Sequence, residues 1–449
     1  PCELFSGHSP ESIVPIKQLK KYVAGIEANF RDFTNAKERV RHSAPKGKSV
    51  AVVGAGPAGL SAAYDLVREG YQVEVFEKET AAGGLIKYVI PDFRMDKTGF
   101  DFEVGQLEEL GVVFHFKKEL GKDIRLEQIR RDFDSVILSL GMGKVKPLPV
   151  VADNIPANRW SDGLAFLKKY NNKSLPIAGG SRILVIGGGN SAMDAARAAK
   201  HHHASNEVFI SCIESLETMP AFEEEVKHAR DEGIVIMPSS YAHQCLENST
   251  ITVVLHDYLS RSLLKTLEVD YIVVAIDQVG ETGDYAEVGA ENLSEKGRII
   301  ADEHNGLSNL GNVFVAGDIC AGNHMSLIGA IASGKRAALG VRQQLEGYNF
   351  PYEGLNALLG LNGKRKEQHA SLPFNANGGL TEFLSKFNLF QSCEKCNHCI
   401  DNLGCPAMIK FDGKIVIDQA KCTKCGLCID VCPNDAISWA ENGKLESVF

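Results

Sequence analysis

The residues best suited to chemistry crowd at one end of the chain. Eight of the 12 cysteines lie in two runs, Cys393-x2-Cys396-x2-Cys399-x5-Cys405-Pro406 and Cys422-x2-Cys425-x2-Cys428-x3-Cys432-Pro433. Two-residue loops bring three thiolates to one face of a metal centre and leave backbone amides near its bridging sulfides. Thiolate quartets also hold zinc. Two complete three-cysteine runs, each with a distal Cys-Pro, favour iron–sulfur clusters over zinc. A disulfide framework would be expected in a short secreted domain, not at one end of a long chain.

Two glycine-rich loops form the second set. Gly54-Ala-Gly56-Pro-Ala-Gly59 follows the apolar strand Val50–Val53 and opens a helix predicted over Ser61–Glu69. The first glycine permits a tight turn, the second lets backbone approach a pyrophosphate, and the third lets helix pack on strand. The helix N-terminus adds unpaired N–H groups and positive dipole. The next strand, Gln72–Phe76, ends at Glu77, at about the 20-residue distance expected of a ribose-binding acid. Ile183–Ile186 runs in the same way into Gly187-Gly188-Gly189-Asn190-Ser191-Ala192 and a helix predicted over Met193–Lys200, with a strand predicted over Glu207–Cys212.

Glu77-Lys78 followed by Gly83-Gly84-Leu85 resembles the extended FAD fingerprint of two-dinucleotide flavoproteins. Gly311-Asn-Val-Phe-Val-Ala-Gly317-Asp318 resembles their second FAD motif, whose aspartate contacts the ribityl and pyrophosphate region. Ile90-Pro-Asp-Phe-Arg94, Met219-Pro-Ala221 and the layout of residues 1–345 resemble the small-subunit family of glutamate synthase, which includes flavin subunits of NAD(P)H:ferredoxin oxidoreductases. The resemblance implies an FAD site made from Gly54, Gly56, Pro57, Ala58, Gly59, Glu77, Lys78, Gly84, Leu85, Arg94, Leu120, Gly141, Gly317, Asp318, Ser326 and Leu327. It implies a nicotinamide nucleotide site made from Gly187, Gly188, Gly189, Asn190, Ser191 and Glu214. A helix from Ser326 to Ala338 would then aim its positive end at the flavin ring. No protein acid or base is expected to be catalytic, because the cofactors carry the chemistry.

The cysteine-rich end resembles bacterial two-cluster ferredoxins, in which the fourth cysteine of each run serves the other cluster. That crossover implies one [4Fe–4S] cluster on Cys393, Cys396, Cys399 and Cys432, and a second on Cys422, Cys425, Cys428 and Cys405. The x5 spacing of the first run, longer than the usual x3, predicts a bulged loop. A similar run occurs in the ferredoxin tail of indolepyruvate-type 2-oxoacid:ferredoxin oxidoreductases.

Two departures from the glutamate synthase pattern carry information. NADPH-binding relatives have Tyr-Arg-Arg where this chain has Cys212-Ile213-Glu214. Arginines there pair with a 2′-phosphate, whereas a carboxylate accepts from a free 2′-OH and repels the phosphate, so NADH is expected over NADPH. Ala275-Ile-Asp277-Gln278 has aspartate where relatives have glycine.

Other residues read as bland. No cysteine pair stands beside either nucleotide loop, so disulfide reduction lacks its redox couple. Cys320 reads as a buried thiol, His201-His-His203 as a solvated run, and Glu223-Glu-Glu225 as an exposed helix face. Cys2 lies in a Pro-Cys-Glu segment that relatives carry in an iron–sulfur domain, but it cannot hold a cluster by itself. Pro1 in place of Met predicts a processed or partial N-terminus.

These parts predict an α/β protein of two Rossmann-like dinucleotide domains, the NAD domain inserted in the FAD domain, plus a C-terminal α+β ferredoxin-like domain. The expected bounds are 1–45 for a helical segment with Ile16, Leu19, Val23 and Ile26 on one face, 46–155 and 284–345 for the FAD domain, 156–283 for the NAD(P)H domain, 346–385 for a linker and 386–449 for the ferredoxin domain. A length of 449 residues accommodates them. Net charge of −9 argues against nucleic acid or an anionic membrane as partner. No apolar run reaches the ~18 residues of a membrane span, and the cysteine usage predicts a reducing cytoplasm. The expected function is electron transfer between NAD(H) and the clusters through FAD, within a larger complex such as a 2-oxoacid:NAD oxidoreductase. The alternative is a self-contained NAD(P)H:ferredoxin or glutamate-synthase-like enzyme, bifurcating or not. A third reading, electron storage, would need both nucleotide sites to be dead.

Overall fold

The computed structural model describes residues 43–280, 286–322 and 326–347, the single residue Lys20, and four short strands near the carboxyl end. The N-terminal segment before residue 43 (Lys20 apart), most of the 346–385 linker, Cys2 and all eight clustered cysteines lie outside the described residues. The chain divides into two units, residues 32–364 and residues 1–31 with 365–449.

In the larger unit the chain first lays down β1 (Ser49–Val53), α1 (Pro57–Arg68), β2 (Gln72–Glu77), α2 (Leu85–Tyr88), α3 (Thr98–Leu110), β3 (Val113–Phe116), α4 (Leu126–Asp132) and β4 (Ser135–Leu138). It then builds a second body: β5 (Lys144–Val145), α5 (Pro149–Ala152), β6 (Trp160–Asp162), α6 (Gly163–Asn171), β7 (Arg182–Ile186), α7 (Asn190–His202), β8 (Glu207–Ser211), α8 (Glu223–Asp231) and β9 (Val235–Met237). The antiparallel meander β10 (Ser240–Glu247), β11 (Ile251–Asp257) and β12 (Leu263–Val269) precedes β13 (Tyr271–Val274) and β14 (Gln278–Val279). Only then does the chain return to the first body with β15 (Val313–Val315) and α9 (Leu327–Glu346).

Both main sheets are parallel, in the orders β15-β4-β1-β2-β3 and β6-β13-β7-β8-β9. Two interior strands, SVIL in β4 and YIVV in β13, are buried throughout because helices or the meander cover both faces. The second sheet interrupts the first between β4 and β15, and the antiparallel pair β5–β14 carries the chain out and back. Residues 149–155, given to the first domain on sequence, pack here with the second sheet: Val151 and Ile155 share a core with Leu184 and Ile186.

Both helices that follow glycine loops begin earlier than periodicity suggests. α1 starts at Pro57, whose fixed φ and missing N–H suit a first helical position. α7 starts at Asn190 and ends at His202, so the first two of the three histidines belong to it. In the smaller unit, β16 (Met408–Phe411) pairs antiparallel with β17 (Lys414–Ile417), and β18 (Ile437–Trp439) with β19 (Leu445–Ser447). The two hairpins stand before and after the second cysteine run in sequence.

Candidate functional site

The loop after β1 is shaped by contacts only glycine allows. Gly54 has φ of +104°, and a methyl group there would stand 2.4 Å from the carbonyl oxygen of Ser139. A methyl at Gly59 would stand 2.0 Å from the Gly54 carbonyl oxygen. Gly56 has nothing within 4 Å on its side-chain face, leaving open space at the N-terminus of α1. Pro57 and Ala58 form the first turn of α1. Glu77, 5 % exposed at the end of β2, accepts hydrogen bonds from Ala55 N–H at 2.7 Å and from Glu79 N–H at 2.9 Å. Its carboxylate thereby braces the loop.

Three further segments converge on this loop. Gly83 N–H donates to the Ala55 carbonyl at 2.8 Å, and a methyl at Gly84 would lie 3.0 Å from Gly56 Cα. Gly317, at φ +79°, lies where a methyl would touch Ala58 Cβ at 3.0 Å, and its N–H donates to Ser333 Oγ. α9 packs against α1 so closely that a methyl at Gly334 would stand 2.0 Å from the Ala58 carbonyl oxygen. Ser326 caps α9 through Gly329 N–H.

Asp318 is the telling residue of this group. Its Oδ1 is buried without a hydrogen-bond partner, and burial pushes the carboxyl up despite the opposing Arg298 charge. Buried polar atoms are ordinarily satisfied, so this oxygen suits a hydroxyl brought by a ligand. The open face of Gly56 and the orphaned Asp318 oxygen fit a dinucleotide such as FAD. Leu85 and Leu327 are exposed, as is Lys78, while Gly141 takes φ of +68° with open space at its side-chain face. Leu120 buries its side chain in the core beside the first sheet. Arg94 is held elsewhere: its guanidinium reaches Asp194 at 2.6 Å and Glu225 at 3.0 Å.

The second loop repeats the device. A methyl at Gly187 would stand 2.2 Å from the Ala275 carbonyl oxygen, whereas Gly189 faces open space at the start of α7. Asn190 Oδ1 accepts from Phe222 N–H at 2.9 Å, and Ala221 N–H donates to the Gly188 carbonyl, so the Met219–Phe222 segment folds over the loop. Ser191 lies in the first turn of α7. β8 pairs with β7 from Arg182↔Glu207 to Ile186↔Ser211, so Glu214 falls just past its carboxyl end despite the three histidines. A methyl at Gly188 would stand 2.6 Å from Glu214 Oε2. Asp277 is exposed, its Oδ1 accepting from Gln278 N–H, and an aspartate side chain is accommodated there.

One bland reading needs correction. Glu225 is not on an exposed face: it is 5 % exposed, because α8 turns it toward Arg94 and Arg197. His201 and His203 are exposed, as expected of a solvated run, and His201 also packs against the Phe93 ring and meets Glu232 at 3.2 Å. Asp194 and Ser139 escaped the sequence reading. Asp194 is one acid on an alanine-rich helix, and Ser139 one serine after a strand, so neither carries a local signal. Among the described residues no group of three or more His, Cys, Asp or Glu could hold a metal.

A parallel sheet with a dinucleotide loop, interrupted by another sheet with its own, defines a flavin oxidoreductase that works with a pyridine nucleotide. Residues 48–334 match the pyridine nucleotide-disulphide oxidoreductase family, and the chain belongs to that family. Residues 415–438, which include the second cysteine run, match the 4Fe-4S binding domain. The chain is 31% identical over 303 residues to the NAD-dependent dihydropyrimidine dehydrogenase subunit PreT of Escherichia coli O157:H7, covering 66% of this chain and 68% of that one. It is 29% identical over 324 residues to the glutamate synthase [NADPH] small chain of Azospirillum brasilense, covering 66% of each. Of two longer relatives it spans only 44% and 39% of the length. The fold matches FprA of Mycobacterium tuberculosis with a TM-score of 0.57 at 16% identity, over 70% of this chain and 89% of that one. Cys212, Cys245 and Cys320 are free and buried, so the described residues hold no dithiol for the disulphide half of the family's name. No helix among the described residues is long and apolar enough to cross a membrane.

Proposed function

We propose that the chain exchanges electrons between NAD(H) and two [4Fe–4S] clusters by way of FAD, as the NAD-linked subunit of a larger ferredoxin-linked complex such as a 2-oxoacid:NAD oxidoreductase. The observation that carries this reading is the pair of open glycine loops, Gly56 and Gly189, in one unit of a chain that also has a 4Fe-4S binding match. Gly54–Gly59, Gly84 and the free oxygen of Asp318 would hold FAD, and the N-terminus of α9 would face its ring. Gly187–Ser191 and Glu214 would hold NADH. Cys393, Cys396, Cys399 and Cys432 would carry one cluster, and Cys422, Cys425, Cys428 and Cys405 the other. The relatives' own names, a dehydrogenase subunit and a synthase small chain, support a place in a complex.

Bound, the flavin supplies exchange between hydride and single electrons. The chain's residues supply position. The N–H groups opening α1 and α7 meet phosphates, Asp318 fixes the flavin's polyol chain, and Glu214 accepts from a free 2′-OH while repelling a 2′-phosphate. Isolation from the native source under argon tests the proposal. It predicts one FAD and about eight iron and eight sulfide per chain, together with further subunits. Four irons or bound zinc would contradict the cluster assignment, and a lone, fully active chain would contradict the place in a complex.

A further inference from the structure

The two glycine loops are joined by a short stretch of chain. Gly84 lies against Gly56, where a methyl added to it would stand 3.0 Å from the Gly56 Cα. Ten residues later, Arg94 is paired with Asp194 of α7, the helix that opens at the second loop. Between these ends the chain leaves the first sheet's core: Val89 is buried in the core of the second sheet, and Tyr88 and Phe93 pack against it.

Polar contacts hold the segment along its length. Asn171 at the end of α6 donates from one amide nitrogen to the carbonyls of Tyr88 and Ile90, both at 3.1 Å. The Arg197 guanidinium lies 4.6 Å from the Phe93 ring centre. Arg94 and Arg197 share Glu225 Oε2 at 3.0 and 3.1 Å, so one buried carboxylate of α8 joins the segment to α7. Charges buried this way stabilise weakly but demand one geometry, because breaking a pair strands its partner.

We infer that Gly84–Arg94 is a tie that sets the distance and angle between the two dinucleotide loops, with Arg94 a positioning residue acting through Asp194. Sequence resemblance placed Arg94 among the flavin ligands; the geometry points instead to a residue that aligns one nucleotide with the other. Hydride transfer depends steeply on such alignment, and a displacement near 1 Å can cost about a hundredfold in rate. The inference rests on assigning Gly54–Gly59 and Gly187–Ser191 to FAD and NADH.

The test uses the full FAD-loaded chain and NADH under argon, with three variants: Arg94→Ala, Arg94→Lys and Asp194→Asn. Arg94→Ala should retain FAD and bind NADH within about twofold of wild type, yet bleach its flavin at least about tenfold more slowly at saturating NADH. The long-wavelength charge-transfer absorbance of the flavin–nicotinamide pair should weaken in parallel. Arg94→Lys should recover part of the rate, because an ammonium keeps the charge but not the fixed planar geometry by which Arg94 Nη1 meets both Asp194 and Glu225. Arg94→Ala and Asp194→Asn combined should cost less than the sum of the two. Should Arg94→Ala not fold, Asp194→Asn, which leaves Arg94 paired with Glu225, decides by the same readouts. Loss of FAD from Arg94→Ala would overturn the inference in favour of a flavin ligand. Wild-type rate and absorbance in Arg94→Ala, or in Asp194→Asn where that variant decides, would overturn it as well. Wild-type chain that binds no NADH would overturn the underlying site assignment and the tie with it.

Discussion

Two acids stand at the carboxyl ends of equivalent strands, Glu77 at the end of β2 and Glu214 just past β8, and their surroundings differ. Glu77 has both carboxylate oxygens engaged by backbone N–H groups, whereas Glu214 Oε2 lies beside Gly188. A charge-assisted bond from a 2′-OH to Glu214 would contribute roughly 1.5–3 kcal/mol, and a 2′-phosphate would meet like charge. Replacing Ile213 and Glu214 together by arginine should move preference toward NADPH, read as kcat/KM for both nucleotides. A wild-type preference for NADPH would show that Glu214 is not at the ribose. Asp194 allows a prediction from pH. Burial raises its pKa from 3.8 to about 6 even though Arg94 and Arg197 pull it down, with Glu225 adding to the rise. A carboxyl raised in the folded state binds its proton more tightly there than in the unfolded chain, so its contribution is complete below about pH 4 and is lost as pH rises through about 6. Asp194→Asn should therefore be more stable than wild type near neutral pH, by on the order of 1–3 kcal/mol, with the gain gone near pH 4. Thermal midpoints followed by flavin release at the two pH values check this. A variant less stable at neutral pH would mean that pairing with Arg94 outweighs burial.

The elements that could be read from sequence are those whose signal is local. β1 and β7 announce themselves as apolar runs ending in glycine, and α1 and α7 follow because each loop needs a helix to close it. What could not be read depends on packing between elements. Arg94 sits in a motif that resembles a flavin-protein signature, yet its partners are acids 100 and more residues away. Glu225 belongs to three consecutive acids that look solvated, and the approach of Arg94 and of Arg197 on α7 makes one of them buried. Residues 149–155 looked continuous with the first domain because nothing local marks the departure at β5. The α1–α9 contact likewise depends on one small residue. Gly334→Val would drive side-chain atoms into the Ala58 carbonyl, where even a methyl stands at 2.0 Å. Overpacking of this kind costs about 1–3 kcal/mol. Because α1 opens at the first glycine loop, the variant should lose FAD more readily as well as melt earlier. An unchanged melting midpoint and unchanged FAD retention would mean that the two helices are free to part.

The whole molecule combines a family that handles pyridine nucleotides with a domain that handles single electrons, and the central claim is that flavin connects the two. The cysteine runs were the plainest feature of the sequence, since ligand spacing is itself local, whereas their arrangement lies outside the described residues. The most direct measurement reduces the cluster-loaded, FAD-loaded chain with limiting dithionite under argon and then adds NAD⁺. NADH absorbance should rise while the electron paramagnetic resonance of reduced clusters decays at a matching rate. Both changes should be lost in Asp318→Ala preparations that keep their clusters but have shed FAD. NADH formation from clusters at full rate without flavin, or reduced clusters that persist beside bound FAD and NAD⁺, would contradict the account.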